Sequence, residues 1–565
     1  MAKWLNGQMV RYFLLIVIVL LAGFLRVYKL DQYPAGLNAD EAAIGYNAYS
    51  LIQTGKDEHG NPWPIHFKSF GDYKPGLYFY LVLPFVKVLG LNIWAVRLPS
   101  AILGVLGVLG VYWLVNELFA NSVHPKGVPS ATLRVSLGLL SSLLLAISPW
   151  HIHFSRGGWE VNAATFFILW GTLMFLKGLR SSRFFIFHFS FFVFSMYTYH
   201  SARIIVPLLG LGLILIYRNK LLAYWLAKER KWFVFGVLLA LVLLIPLIKD
   251  FLGPAGVSRF SGVGILADEG PYWRTNEQRG EHQNWNSFWV RILHNRPVYY
   301  GLSFLENWAD HFHGEFLFLS GDSIQRNRVP ETGQMYLVEV PFLVLGIWFL
   351  LKDKPKNYHF ILWWLAVAPV AAALTFQTPH ALRAHNMIIP LVIIMAYGLR
   401  NVLIWVKNQK KVIVSLFYCF IVSLFLLNFA RYLHQYYVHY PQTYPAAWEY
   451  GFEELVHYVK GVQDQYDHIY VTDKYDQPYI LFLFYLRYPP QRFQEEVVLT
   501  PRDKFGFSTV RNFDKYYFGE IKWEEMKETP KTLIIGVGSE IPDGVEVLKI
   551  INFPDGQPAF KISKT

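Results

Sequence analysis

Residues 10–41 read VRYFLLIVIVLLAGFLRVYKLDQYPAGLNADE, an apolar run that passes directly into a polar loop with two adjacent acids. The hydrocarbon core of a bilayer is about 30 Å thick, and roughly 20 helical residues cross it. The run at 10–30 meets this requirement and has no small-residue cleavage site. We therefore expect a retained transmembrane helix that leads into a polar loop at one membrane face.

The composition extends this interpretation to most of the chain. Hydrophobic residues make up 54% of it and charged residues 16%, whereas roughly a quarter of the residues in an average soluble domain are charged. The net charge of +12 does not indicate a nucleic-acid partner, because most Lys and Arg residues lie beside apolar runs, where they orient helices. Cys419 is the only cysteine, which excludes an intramolecular disulfide.

Similar apolar runs recur throughout residues 1–430. They predict a polytopic α-helical membrane domain with about eleven transmembrane helices. The predicted helices lie near 10–30, 97–119, 134–149, 161–176, 184–198, 203–217, 232–249, 336–352, 358–374, 386–405 and 412–430. A further apolar run at 76–91 is short and contains Pro84 and Lys87, so we expect an interfacial or re-entrant helix there.

The distribution of Lys and Arg between the loops predicts the orientation, since these residues stay on the cytoplasmic side. Alternate loops carry clusters of basic residues, among them Lys126, Arg134, Lys177, Arg180, Arg183, Arg218, Lys220, Lys228, Arg230, Lys231, Lys352, Lys354, Lys356, Lys407, Lys410 and Lys411. We assign these loops to the cytoplasmic side of the plasma (inner) membrane. The loops at 31–96 and 250–335, and the residues after 430, then face outward.

Residues 431–565 have a different pattern from the rest of the chain. Short apolar runs at 468–472, 479–486 and 532–537 alternate with charged stretches of helical character. Short runs of this kind, separated by helices, are typical of mixed sheets. The pattern therefore predicts a small extracytoplasmic α/β domain.

The first outer loop contains a candidate catalytic acid. Asp40 and Glu41 open a stretch with helical periodicity. A carboxylate that faces an outer cavity can accept the proton of an attacking hydroxyl, which makes Asp40 a candidate base. The alternative is that Asp40 only caps the helix. Glu41 projects about 100° away around the helix, so we expect it to orient other groups or to bind a metal.

Basic residues on the outer loops form a second candidate feature, because few positive charges are expected there. The planar fork of Arg donates two parallel hydrogen bonds to phosphate, so several such residues predict a site for an anionic lipid head group. The alternative is that each Arg snorkels or pairs with a carboxylate such as Glu160. The candidates are Lys74, Arg156, Arg203 and Arg383, which accompany Tyr199, His200 and His380.

The common cofactor-binding motifs do not occur in the sequence. The sequence has no HExxH motif, no cysteine cluster and no EF-hand spacing, so no metal site is indicated by a motif. It also has no P-loop or dinucleotide-binding glycine pattern, which argues against a soluble nucleotide as the energy source. Asp40, Glu41 and histidines are the residues that would bind a divalent metal, and the sequence leaves open whether one is present.

Together these features resemble the GT-C class of integral-membrane glycosyltransferases, in particular the bacterial relatives of protein O-mannosyltransferases and aminoarabinose transferases. The resemblance covers about residues 10–430. It departs from the family pattern at Gly76, where many relatives have a second proline. The elements that carry it are Asp40-Glu41 after the first helix, Lys74-Pro75 later in the loop, and RLPSAILG at 97–104.

The resemblance implies that a sugar moves from a polyprenyl-phosphate carrier to an acceptor on the outer face, with inversion at the anomeric carbon. Asp40 is then the base, with Glu41 beside it. The acceptor class (protein, glycan or lipid) stays open. Donor phosphate contacts are expected from Lys74, Arg156, Arg203 and Arg383, and sugar or acceptor contacts from Tyr46, Asp72, Tyr73, Tyr199, His200 and His380.

Two other classes of protein fit parts of the pattern. A transporter or flippase of a lipid-linked sugar would also be polytopic, but transporters often show internal repeats and mid-span charges, and no repeat is visible here. A non-catalytic envelope assembly protein would work through its outer domain. The acids and bases in the membrane-side loops favour the enzyme over both.

Overall fold

The computed structural model describes residues 2–120, 136–226, 230–253, 264–503 and 508–565. Three basic residues used in the orientation analysis, Lys126, Arg134 and Lys228, lie outside the described residues, as do the first two residues of the helix predicted at 134–149 and residues 254–263 of the second long loop.

The helices account for most of the described chain. In chain order they are α1 Ala2–Val27, α2 Ala39–Thr54, α3 Leu77–Leu89, α4 Ile93–Leu118, α5 Leu137–Ile147, α6 Pro149–Arg156, α7 Glu160–Gly178, α8 Phe184–Thr198, α9 Ala202–Leu226, α10 Arg230–Phe251, α11 Gly270–Gly280, α12 Phe288–Leu293, α13 Arg296–Asp310, α14 Val340–Asp353, α15 Tyr358–Val367, α16 Val370–Ala373, α17 Ile388–Lys407, α18 Lys411–His434, α19 Tyr440–Thr443, α20 Phe452–Val462, α21 Pro478–Leu486, α22 Pro490–Glu496 and α23 Trp523–Met526.

Seven helices of the described residues are long and apolar enough to cross a membrane. They include α1, α4, α7, α9, α10, α17 and α18. The pair α5 and α6 is also apolar but bends by 57°. The bend lies at Ser148-Pro149, because proline disfavours helical geometry in the preceding residue, and Ser148 is extended with φ −60° and ψ 128°.

The remaining predicted spans coincide with shorter helices, namely α8, α14 and the pair α15–α16. Each predicted apolar segment is therefore helical, and the chain is an integral membrane protein. The run at 76–91 forms α3, whose 13 residues extend about 20 Å at 1.5 Å per residue. This length is too short for a bilayer crossing. Its interfacial or re-entrant position stays a prediction.

Contacts divide the chain into two compact units. The helical unit comprises residues 1–25, 103–154 and 161–432. The loop–tail unit comprises residues 26–102, 155–160 and 433–565, so the loop at 31–96 and the tail pack together. The sequence predicts a domain boundary at 430, which assigns these two segments to different domains. Their contacts join residues far apart in the chain, so a local sequence pattern does not reveal them.

Helix α2, in the loop at 31–96, packs against the tail. The hydroxyl of Tyr46 donates a hydrogen bond to the carbonyl of Tyr488 at 3.1 Å, and its ring lies 6.2 Å from that of Phe493. The amide of Gln494 donates to the hydroxyl of Ser50 at 3.1 Å. These contacts join α2 to α22 and to Tyr488, which lies between α21 and α22.

Two β-sheets complete the loop–tail unit. The first is a hairpin of β1 His66–Ser69 and β2 Asp72–Pro75, paired antiparallel. The second is a six-stranded mixed sheet in the tail. Its strands are β3 His468–Thr472, β4 Asn512–Phe513, β5 Tyr516–Gly519, β6 Thr532–Gly536, β7 Val547–Asn552 and β8 Pro558–Lys564. The strand order is β4-β5-β3-β6-β8-β7. The central strand β3 runs parallel to β5 and β6, which confirms the α/β character predicted for the tail.

Candidate active site

The start of α2 places Asp40 and Glu41 in different environments. Asn38 is the N-cap of this helix: its side chain accepts a hydrogen bond from the backbone N–H of Glu41 at 3.1 Å, and the Glu41 carboxylate accepts in return from the backbone N–H of Asn38. This reciprocal arrangement satisfies two N–H groups that the helix itself leaves open. The N-cap of α2 is therefore Asn38, and Asp40 lies in the first turn of the helix.

Glu41 is buried, with 1% of its surface exposed. Arg97 donates to both of its carboxylate oxygens, at 2.8 and 2.9 Å. The backbone N–H of Gly158 donates to the same carboxylate at 2.7 Å. The carboxylate of Glu41 is thus enclosed by fixed donors, an environment that supports an orienting role and leaves little room for a metal.

Arg97 connects Glu41 to the chain segment between the first helix and α2. This wholly buried guanidinium also donates to the carbonyls of Leu30 and Pro34, both at 3.0 Å, and to that of Gly36. A buried ion pair is tolerated when further hydrogen bonds satisfy both partners, as they do here. The pair therefore holds the entry to α2 in one conformation.

Lys74 and Asp40 form the second ion pair of the loop. The hairpin β1–β2 presents the ammonium of Lys74 to the carboxylate of Asp40 and holds it 5.0 Å from the ring centre of Phe70. The Asp40 side chain keeps 36% of its surface exposed and that of Lys74 14%. This pair, unlike the one at Glu41, can be reached by a ligand.

Several carboxylates act on Lys74 besides Asp40. Burial by itself lowers the pKa of Lys74, but Asp40, Glu160 and Asp72 raise it, and the net pKa lies above the ordinary value. Lys74 is therefore a persistent cation. Glu160, which is itself buried, joins the site although the sequence pointed to it only as an alternative partner for Arg.

Gly76 explains the departure from the family pattern in the hairpin. Its backbone N–H donates to the carbonyl of Ile65 at 2.9 Å, and proline has no N–H to replace this donor. A Cβ at this position would lie 2.6 Å from the same oxygen and 2.9 Å from the ring of Phe67. Glycine thus allows the close approach that places Lys74.

Arg156 is also fixed inside the loop–tail unit. Its guanidinium is buried and donates to the carbonyls of Tyr28 at 2.8 Å and Tyr33 at 3.0 Å. It lies 5.4 Å from the ring centres of Tyr436 and Tyr437. These contacts fix the chain after α1, and this placement does not support the phosphate contact predicted for Arg156.

The three weaker candidates in this unit have different surroundings. Tyr46 is buried against α21 and α22, so its ring is not displayed to a sugar, and the placement does not support that predicted contact. Asp72 and Tyr73 lie on β2 next to Lys74, and both are half-buried. Asp72 accepts a hydrogen bond from the backbone N–H of Tyr73 at 2.8 Å. These two residues remain candidates.

The other candidates belong to the helical unit. Arg203 donates to the carbonyl of Met196 at 3.2 Å, and Arg383 donates to the hydroxyl of Thr375 at 2.7 Å. Nδ1 of His380 lies 3.7 Å from a carboxylate oxygen of Asp322. Tyr199 and His200 are adjacent, with ring centres 6.4 Å apart. Their participation in one pocket with Asp40 stays a prediction.

Sequence reasoning missed the role of Arg97, although it is the first residue of the RLPSAILG element. A guanidinium at the entrance of an apolar span is costly unless it is paired, and this signal identifies it as a candidate for a buried ion pair. Gly158, which follows Arg156 by two residues, carries no comparable signal. In the described part of the chain, no group of three or more His, Cys, Asp or Glu residues is arranged to hold a metal ion.

Comparisons with known proteins bear on the fold. No protein-family model and no curated protein matches this sequence. The crystal structure of ArnT from Cupriavidus metallidurans in the apo state is 12% identical, with 98% of each chain covered and a TM-score of 0.51. The structure of the same protein bound to undecaprenyl phosphate is also 12% identical, with 99% of this chain and 98% of that chain covered and a TM-score of 0.50.

The oligosaccharyltransferase of Archaeoglobus fulgidus in complex with zinc and sulfate has a TM-score of 0.47 at 12% identity, with 83% of this chain and 61% of that chain covered. The ArnT structures show the fold. The chain has a GT-C-like membrane fold, as the resemblance in the sequence predicted. Within that class its likeness is to ArnT, over nearly the whole length of both chains.

Proposed function

We propose that the chain is a glycosyltransferase that takes its sugar from a polyprenyl-phosphate donor at the Asp40–Lys74 pair. The observation that carries the proposal is an accessible carboxylate in contact with a persistent cation, on a loop that buried contacts hold rigid. A fold shared with ArnT bound to undecaprenyl phosphate supports a lipid phosphate as the donor group. This last support is an analogy of fold.

The reaction follows from the chemistry of the two groups. Asp40 accepts the proton of the acceptor nucleophile, here taken as a hydroxyl, while the acceptor oxygen forms a bond to the anomeric carbon. The bond from that carbon to the phosphate oxygen breaks, and polyprenyl phosphate leaves. Lys74 stabilises the negative charge on the leaving phosphate. A single displacement of this kind inverts the anomeric configuration.

The ion pair with Lys74 controls the basicity of Asp40 in this proposal. While Asp40 contacts Lys74, the ammonium stabilises the carboxylate and makes it a weaker base. A donor phosphate that binds Lys74 shares this positive charge and leaves Asp40 a stronger base for the acceptor. The proposal therefore places donor binding before deprotonation of the acceptor.

The remaining parts of the proposal concern location. We infer that the site faces the extracytoplasmic side of the inner membrane, because the alternation of basic loops assigns residues 31–96 to that side. Arg203 and Arg383 are proposed as further phosphate ligands, since each is basic and lies on or beside an outer loop. The tail, from 431 onward, is proposed to lie on the same side.

The test uses the purified full chain with membrane extract that supplies donor and acceptor. We expect Asp40→Asn to bind undecaprenyl phosphate as the unaltered protein does, by native mass spectrometry, but to release no polyprenyl phosphate from the donor. Asp31→Asn, in the same loop, is the matched control and should turn over normally. Full turnover by Asp40→Asn would remove Asp40 as the base.

Two further outcomes separate the alternatives. Failure of the unaltered protein to retain any polyprenyl phosphate would contradict the donor class. Movement of a sugar lipid across reconstituted vesicles in the absence of an acceptor would favour a flippase. Mass spectrometry of the lipid that copurifies with the chain identifies the prenyl length and the sugar.

A further inference from the structure

A cavity of about 290 Å³ opens between α9 and α10 in the helical unit. Its wall is mostly apolar and includes Ile214, Leu222, Trp225 and Phe233. Of these, Ile214, Leu222 and Trp225 keep more than half of their surface exposed. An exposed apolar wall on two helices that are long and apolar enough to cross a membrane offers a surface for an acyl chain.

Two guanidinium groups lie on the same cavity, those of Arg218 and Arg230. Both side chains are exposed, and neither forms an ion pair with a carboxylate of the described residues. Arg230 opens the candidate span of α10, and Arg218 lies seven residues before the end of the candidate span of α9. The two charges therefore lie toward the ends of α9 and α10 that follow each other in the chain. Basic residues at the ends of membrane-crossing helices can reach lipid phosphates.

Further cations surround this end of the hairpin. Lys220 lies close to Lys356 and to Arg180. Glu117, a carboxylate in this region, is already paired with Arg180 at 3.0 Å. Among the described residues of this region the cations outnumber the carboxylates, which favours a head group with net negative charge over a zwitterionic one.

We propose that this cavity binds an anionic membrane phospholipid. Its phosphodiester lies between Arg218 and Arg230, each of which can donate two hydrogen bonds to phosphate oxygens. One acyl chain lies along Ile214 and Phe233, which lie on the membrane side of the two guanidinium groups. Basic pockets between transmembrane helices bind anionic head groups in this manner. The site is distinct from the Asp40–Lys74 pair and does not depend on the proposed transfer reaction.

The test compares lipid retention by the full chain in detergent, using native mass spectrometry with dioleoyl phosphatidylglycerol and dioleoyl phosphatidylcholine as probes. We expect the unaltered protein to retain one phosphatidylglycerol more tightly than phosphatidylcholine, and Arg218→Gln/Arg230→Gln to bind it about tenfold more weakly. Lys410→Gln/Lys411→Gln removes the same charge from a different interhelical connection and should bind as the unaltered protein does.

Two measurements keep the proposal open to contradiction if the double variant does not fold. A photoactivatable phosphatidylglycerol should label the unaltered protein within residues 214–233, and labelling elsewhere alone would overturn the site. Glycerol phosphate, which has no acyl chain, should not displace the lipid. Equal retention of the two lipids, displacement by glycerol phosphate, or unchanged binding by the double variant would each overturn the proposal.

Discussion

Asp40 and Glu41 are adjacent in sequence, and each forms an ion pair with a cationic side chain. The two ion pairs have different consequences. Glu41 and Arg97 are both buried, and every polar atom of the contact meets a fixed partner. Asp40 and Lys74 remain accessible, and their partners can be exchanged for a ligand. Asp40 and Glu41 are one residue apart, about 100° around the helix. Glu41 stabilises the loop through Arg97, and Asp40 is accessible to a ligand.

The comparison shows why the rigid pair is needed beside the reactive one. A catalytic group must be held close to its productive position by residues that are themselves fixed. Glu41, through Arg97, fixes the chain on which Asp40 lies. The same change of acid to amide at the two positions should therefore separate folding from function.

The largest expected effect is on stability at the buried pair. Glu41→Gln leaves the Arg97 charge buried without its carboxylate, and we expect it to lower the free energy of unfolding by about 3–5 kcal/mol. Asp40→Asn, the matched control, should change it by at most about 1 kcal/mol because its pair is accessible. Thermal unfolding of both variants in detergent measures the difference. Equal stability of the two would contradict the division of roles.

The next effect is on activity at the accessible pair. Lys74→Met removes the cation that the proposal assigns to the leaving phosphate, and we expect kcat/KM for the donor to fall at least about a hundredfold. Lys74→Arg keeps the charge and should restore part of the activity. If Lys74→Met turned over donor at the unaltered rate, Lys74 would have no role in the reaction.

A smaller effect is expected at the hairpin that carries Lys74. Gly76→Ala introduces a Cβ that lies 2.6 Å from the carbonyl oxygen of Ile65, and we expect a loss of about 1–3 kcal/mol from overpacking, with reduced activity. Gly280→Ala is the control, since nothing lies within 4 Å of its Cβ. Stability curves for both variants, followed by donor turnover, check this expectation.

The smallest effect concerns pH and a third acid of the same loop. Burial raises the pKa of Glu58 to about 8, although a hydrogen bond from Asn47 lowers it. Because the folded pKa exceeds the unfolded one, the contribution of Glu58 to stability is complete below about pH 4.5 and is lost as pH rises through about 8.

We therefore expect Glu58→Gln to flatten the decline of melting temperature between pH 5 and 9. The measurement is a series of melting curves in one detergent across that range. An identical pH profile in the variant and the unaltered protein would show that Glu58 does not titrate in this window.

Much of the fold could be predicted from the sequence. The apolar runs marked the helices because the length of a membrane crossing is a local property of the chain. The α/β tail and the short α3 were likewise visible in short-range patterns. The packing of the tail on α2 was not, because Tyr46 and Tyr488 are 442 residues apart and no local pattern connects them.

The candidate site was predicted in part. Asp40 and Lys74 were identified by motif, but their direct contact depends on how the β1–β2 hairpin folds back on α2. The sequence predicted Arg156 to be a phosphate ligand because it is an Arg on a predicted outer loop, yet its guanidinium donates to backbone carbonyls of the Tyr28–Tyr33 segment. Composition does not reveal which of several Arg and Lys side chains folding will bury.

The sequence by itself determined the membrane class, the apolar helices and the presence of an acid pair and a lysine on one polar loop, since each of these depends on residues close together in the chain. Only the tertiary structure decided which cationic side chain pairs with each acid. Arg97 pairs with Glu41, which is 56 positions away in the chain, and Lys74 pairs with Asp40, which is 34 positions away. The reason is that burial and pairing depend on surfaces that folding brings together. These surfaces determine whether a charged side chain is enclosed in a structural ion pair or stays accessible to a ligand.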